Sequence, residues 1–148
     1  MCLHHGMRTI AIAGMTLLLV ACAADSQAKK REAEDAIYDY AMKRNLLFVF
    51  TPAVENERWQ DQTEVLGDSR IELGDRDFTV VEVVGTEADI VFPEKEKLHP
   101  DAARDLRGRF GVEPAMFAIV VLGKDTKTRL RSFEPIGIAE IVGALEKR

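Results

Sequence analysis

The chain has 148 residues, room for one domain and for less than that once a leader is set aside. Its hydrophobic share of 47% and charged share of 30% are those of an ordinary soluble protein and exclude a disordered chain or a membrane bundle. The net charge is −5, and without Arg8 of the presumed leader 19 basic residues face 25 acidic ones, a balance that disfavours nucleic acid as a partner because phosphate neutralisation calls for a basic face.

After Arg8 the residues are uncharged from Thr9 to Ala24, with an apolar heart from Ile10 to Ala21. That is short of the roughly 20 apolar residues of a membrane span and has the form of a secretory signal. Met7 is an alternative start. Leu19-Val20-Ala21-Cys22 closes the run and resembles the lipobox of bacterial lipoproteins, which implies Cys22 as the site of lipid attachment and a mature chain that begins there. Ala23 after the cysteine resembles outer-membrane sorting. The expected address is therefore the periplasm, on an outer-membrane lipid anchor, with membrane contact through that anchor. Ordinary cleavage after Ala23 or Ala28, giving a soluble secreted or periplasmic protein, is the alternative. The expected organisation is residues 1–22 as signal peptide, 23–30 as tether, and 31–148 as one domain.

From Arg31 to Arg44 the spacing of Ala33, Ala36, Ile37, Tyr40 and Ala41 predicts an amphipathic helix ended by Asn45, with Tyr38 more exposed than Tyr40. Leu46 to Phe50 is continuously apolar, as in strands buried on both faces. Thr51-Pro52 stops it, and a helix follows from Glu55 to Leu73, with a blurred stripe through Trp59, Thr63 and Leu66, a weak point at Gly67 and a terminator at Gly74. Trp59 is read as a packing anchor, against the alternative of a residue that stacks on a ligand.

Phe78 to Val84 is a second buried strand, interrupted by Glu82. A carboxylate there is costly unless it is paired or reaches water. Glu82 is either a functional acid or the partner of Arg129 or Arg131. Thr86 to His99 is a long connection whose Ile90-Val91-Phe92-Pro93 reads equally as a docking knuckle and as an edge strand. Pro100 opens the next helix, Ala103, Leu106 and Phe110 form its stripe, and Gly111 closes it. Pro114 precedes a third buried strand from Met116 to Leu122. A turn at Gly123 to Thr126 leads into an alternating strand from Thr128 to Phe133. Pro135 starts the last helix, with its stripe at Ile138, Ile141, Val142 and Leu145.

Strands joined by a helix should be parallel through a right-handed crossover, and the last two strands should form a hairpin. This order resembles the thioredoxin-like fold, which implies an α/β protein with a central four-stranded mixed sheet in the order 2-1-3-4, helices on both faces and an extra N-terminal helix. The chain from about Lys43 to Lys147 also resembles the bacterial family called domain of unknown function 4174, through LLFVF-T-P, RDFTVVEVVG, LRGRFGV-x-P and VLGKDTKTRLRS. That resemblance implies a thioredoxin-like or peroxiredoxin-like fold, a relation to a domain of extracellular animal proteins, and no established activity.

Phe50-Thr51-Pro52-Ala53-Val54 resembles the F-T-P-V-C turn of peroxiredoxins, with Val54 where the peroxide-reducing cysteine would stand. Both cysteines, Cys2 and Cys22, precede the domain. Thiol redox chemistry needs a thiolate, which valine cannot supply. The domain holds one histidine, His99, too few for a zinc site, and no nucleotide or nucleophile-elbow motif, so no cofactor and no metal are expected. Two readings remain. The first is a redox-inactive binding or scaffolding module for a protein or small molecule of the envelope. Its candidate face comprises Thr51, Pro52, Val54, Gly85, Thr86, Phe92 and Pro114, near the C-terminal ends of the first two strands, where open α/β sheets bind ligands. The second is an enzyme of carboxylate-dependent chemistry on the same face, drawing on Glu55, Glu57, Asp61 or Glu82.

Overall fold

Seven residues, Asn45–Thr51 (β1), form the centre of the molecule, and every one of them is buried. A computed structural model describes Ile37 and residues 40–147. The leader, the tether, Cys22 and Tyr38 lie outside the described residues. After β1 come α1 (Glu57–Asp68), α2 (Arg70–Asp75), β2 (Phe78–Val84), β3 (Glu87–Phe92), β4 (Glu96–Lys97), α3 (Ala102–Phe110), β5 (Ala118–Leu122), β6 (Thr128–Ser132) and α4 (Ile138–Glu146). They build a mixed six-stranded sheet in the order β4-β3-β2-β1-β5-β6.

β1 and β2 are parallel, with Phe48 opposite Val81, as a strand-helix-strand unit requires. β5 runs antiparallel to β1 on its other side, Val120 facing Phe48, and β6 completes the hairpin. The inner order β2-β1-β5-β6 is the four-strand order expected from the sequence. The expectation of a four-stranded sheet is corrected at one edge. The connection from Thr86 to His99 is not a plain loop: β3 pairs antiparallel with β2 and the two-residue β4 with β3, so the Ile90-to-Phe92 segment is a strand of the sheet, second from an edge formed by β4.

Alternation along the strands divides the core in two. Leu46, Phe48, Phe50, Val81 and Val83 face Ile37, Ala41, Ala103 and Leu106, so α3 and the helical residues Ile37, Tyr40 and Ala41 cover one face. Leu47, Val49, Phe78 and Val80 face Trp59, Leu66, Leu73, Ile141 and Val142, so α1, α2 and α4 cover the other. Trp59 is a packing anchor there, 8% exposed.

Several boundaries move, each for a local reason. The helix expected from Glu55 to Leu73 is two helices that break at Ser69, and Asn56 caps the first by accepting from the Trp59 N–H at 3.3 Å. Asn45 opens β1 instead of ending a helix, because its side chain donates to the Arg76 carbonyl at 2.8 Å. Pro100 and Pro135 lie just ahead of their helices, which are capped by Asp101 and Gly137. The third core strand starts at Ala118, after a turn in which the Met116 N–H donates to the Glu113 carbonyl.

Candidate functional site

Where β1 and β2 end, the backbone is pinned. The Gly85 N–H donates to the Thr51 carbonyl at 3.0 Å, and the Thr51 hydroxyl turns back to the Ala53 carbonyl at 2.8 Å. Gly85 has φ +57, a conformation that favours glycine, and a Cβ there would just touch the Pro52 carbonyl oxygen at 3.4 Å. Across from these strand ends lies the last turn of α3, stopped by Gly111 in the left-handed conformation with φ 61. A cleft of about 730 Å³ opens between them, with Gly85, Thr86, Pro100, Gly108, Val112 and Pro114 among its walls.

Arg107 joins the two sides of this cleft. Its Nη2 donates to the Thr51 carbonyl at 2.8 Å and its Nη1 to the Glu113 carbonyl at 3.0 Å, and its guanidinium sits 5.7 Å from the centre of the Phe50 ring. The residue is only 6% exposed, and burial lowers its pKa from the ordinary arginine value. Arg104 stands at the rim of the cleft, paired with Asp101 at 3.0 Å and Asp105 at 3.7 Å.

The residues singled out from the sequence are dispersed among three places. Gly85, Thr86 and Pro114 line the cleft. Thr51 is fully buried beneath it and takes part through its carbonyl, while Pro52 abuts Gly85. Val54, 51% exposed, stands on the turn after β1 and is not among the residues that line the cleft. Phe92 does not share this face. It packs against the α1 and α2 side of the sheet and lines a separate recess of about 210 Å³ with Glu82, Arg70 and Lys95.

Neither suggested partner meets Glu82. Arg129 binds Asp125 at 2.6 Å, and Arg131 donates to the Phe110 carbonyl at 2.6 Å, both from β6 at the far edge of the sheet. Glu82 stands instead beside Asp89 of β3. Burial, and then the Asp89 carboxylate, push its pKa up from 4.5 to about 6, against the opposing pull of Lys95 and Arg70. Glu55, Glu57 and Asp61 are exposed on or just before α1 and line neither space. Among the described residues no group of three or more His, Cys, Asp or Glu is placed to hold a metal ion. No helix among them is long and apolar enough to cross a membrane.

Arg107 was not selected from the sequence, yet a signal for it exists. It falls between Leu106 and Phe110 at i+4 from Ala103, on the apolar stripe of α3. Gln62 is the same kind of residue on α1. It is fully buried, with its Nε2 donating to the Ile136 carbonyl at 3.2 Å and its Oε1 accepting from the Ile136 N–H at 2.8 Å. It takes the buried stripe position between Trp59 and Leu66, where the sequence pattern predicts Thr63.

The profile of a domain of unknown function, DUF4174, matches residues 36–145, well over half of the chain, from before β1 into the last turn of α4. The chain belongs to the DUF4174 family. The DUF4174 chain is also similar to coiled-coil domain-containing protein 80 of Danio rerio, at 27% identity over 110 residues, which is 66% of this chain and 13% of that protein. It thus spans a small part of the length of that relative.

Proposed function

We propose that this DUF4174 chain is a redox-inactive binding or scaffolding module of thioredoxin-like fold in the bacterial cell envelope, held on the periplasmic face of the outer membrane by a lipid on Cys22. The observation that carries the reading is a ligand-sized cleft at the C-terminal ends of β1 and β2 in a domain that contains no sulfur nucleophile. Where a peroxiredoxin-like turn would present a thiol, Val54 presents an isopropyl group. Support for the fold assignment is the inner order β2-β1-β5-β6, with β1 and β2 parallel and helices on both faces. Support for the address is the lipobox-like Leu19-Val20-Ala21-Cys22 after an apolar run.

The purified protein is expected to turn over neither hydrogen peroxide nor a disulfide substrate, and turnover above a protein-free control overturns the reading. In cell fractionation, Cys22→Ala is expected to move the protein from the membrane to the soluble fraction. Wild-type protein that is already soluble, with its N-terminus near Lys29, removes the anchor.

The alternative, an enzyme of carboxylate-dependent chemistry at the same strand ends, draws on Glu82, whose pKa of about 6 suits proton transfer near neutrality. Against it stands geometry: Glu82 opens on the smaller recess beside Phe92 and not on the cleft.

A further inference from the structure

We propose that the cleft takes an organic monocarboxylate, a negatively charged head on an apolar body, with Arg107 as its counter-charge; this rests on reading the cleft as a binding site. An arginine keeps its charge in protein surroundings, and a charge withdrawn from water is costly unless an opposite charge meets it. Among the described residues Arg107 forms no ion pair. Its two hydrogen bonds go to neutral carbonyls, and its Nε is buried without a partner. Two of the five guanidinium N–H groups are thereby used. The positive charge on the floor of the cleft is solvated by dipoles and by the Phe50 ring, and by no carboxylate of the described chain.

The rest of the cleft sorts candidate ligands by charge and polarity. Arg104, one turn earlier on the same helix, already has Asp101 and Asp105, so the acid at that end of the cleft is matched. Glu113 is exposed, and it is its backbone carbonyl that holds Arg107. Pro100, Val112 and Pro114 offer almost no hydrogen-bonding side chains, which suits an apolar body. A cation would be repelled by Arg107, and a neutral apolar molecule would leave that charge unmet. The volume of about 730 Å³ lies within the range of about 300–1,000 Å³ usual for small-molecule sites.

Calorimetric titration of the full chain with octanoate, using octanol and octylammonium as controls, tests the assignment. Octanoate is expected to bind about tenfold or more tighter than either control, the scale of one hydrogen bond to a charged group. Arg107→Gln is expected to erase that preference. Because that variant removes two buried contacts and can fail to fold, Gly108→Leu supplies the independent arm. Gly108 is exposed on the wall of the cleft within α3, and nothing lies within 4 Å of where its Cβ would be, so a leucine there adds apolar bulk at the cleft wall without displacing the core. Gly108→Leu is expected to keep the circular dichroism spectrum and to weaken octanoate binding about tenfold or more, since it fills the space an apolar body needs. Octanoate that fails to bind wild type, or binds Gly108→Leu equally well, overturns the assignment. Octanol that binds as tightly as octanoate overturns the carboxylate preference while leaving a binding module in place, whereas peroxide turnover overturns the binding module whatever octanoate does.

Discussion

Among the described residues Glu82 has no hydrogen-bond or ion-pair partner; burial and the neighbouring acid Asp89 outweigh the pull of Lys95 and Arg70, so it resists ionisation in the folded protein. With its pKa raised from 4.5 to about 6, the folded chain holds this proton more tightly than the unfolded chain does. The stabilisation is fully present below about pH 4.5 and is lost as the pH rises through about 6. The full linkage would be roughly 2 kcal/mol, and solvent screening of this partly exposed group reduces it to about 1 kcal/mol. Glu82→Gln is therefore expected to gain about 1 kcal/mol over wild type at pH 8 and almost nothing at pH 4, as read from urea unfolding at both values. A difference that is the same at both pH values would show that the carboxyl is not perturbed. Glu82 was legible in the sequence because a carboxylate inside FTVVEVV breaks an apolar run. Its neighbours were not legible, because they depend on which strand becomes the edge. Arg129 and Arg131 lie on β6, three strands away from β2 across β1 and β5.

At the scale of elements, the helices are tied to the sheet through polar residues that sit on their apolar stripes. Gln62 clamps α1 to the segment that leads into α4 by bonding both backbone groups of Ile136. Gln62→Leu keeps the volume but strips partners from a buried N–H and a buried carbonyl, so a loss of about 2–3 kcal/mol is expected. Urea unfolding measures it, and an unchanged midpoint would mean that the clamp carries no stability. The apolar runs of β1, β2 and β5 were readable directly, since strands buried on both faces leave few polar positions to confuse the pattern, Glu82 being the charged exception in β2. The helices were read less sharply for the opposite reason. Gln62 and Arg107 are polar residues on the stripe and blur it, while Gly67 marks the weak point of the long helix to within two residues of the break at Ser69. The prolines marked helix starts to within a few residues, because capping fell to Asp101 and Gly137 further on.

For the whole molecule, one buried central strand sets the geometry. β1 lies between β2 and β5, packs helices on both its faces, and ends where the chain of α3 comes across to meet it. A space at those strand ends follows from the topology, which is why Gly85, Thr86 and Pro114 could be chosen from the sequence by the strand-end rule alone. Phe92 could not be excluded in the same way, since its placement required knowing that the long connection pairs with β2. The charge that gives the cleft its chemistry, Arg107, comes from a helix far along the chain and reaches Thr51 across 56 positions of sequence.

The central claim is that this protein holds a molecule in the cleft above Arg107. Native mass spectrometry of the protein isolated from cells without denaturation, with wild type compared to Gly108→Leu, tests it directly. The account predicts a small-molecule adduct on the folded wild-type chain that is absent from the variant. The same adduct on both proteins, or no adduct on either, would contradict it.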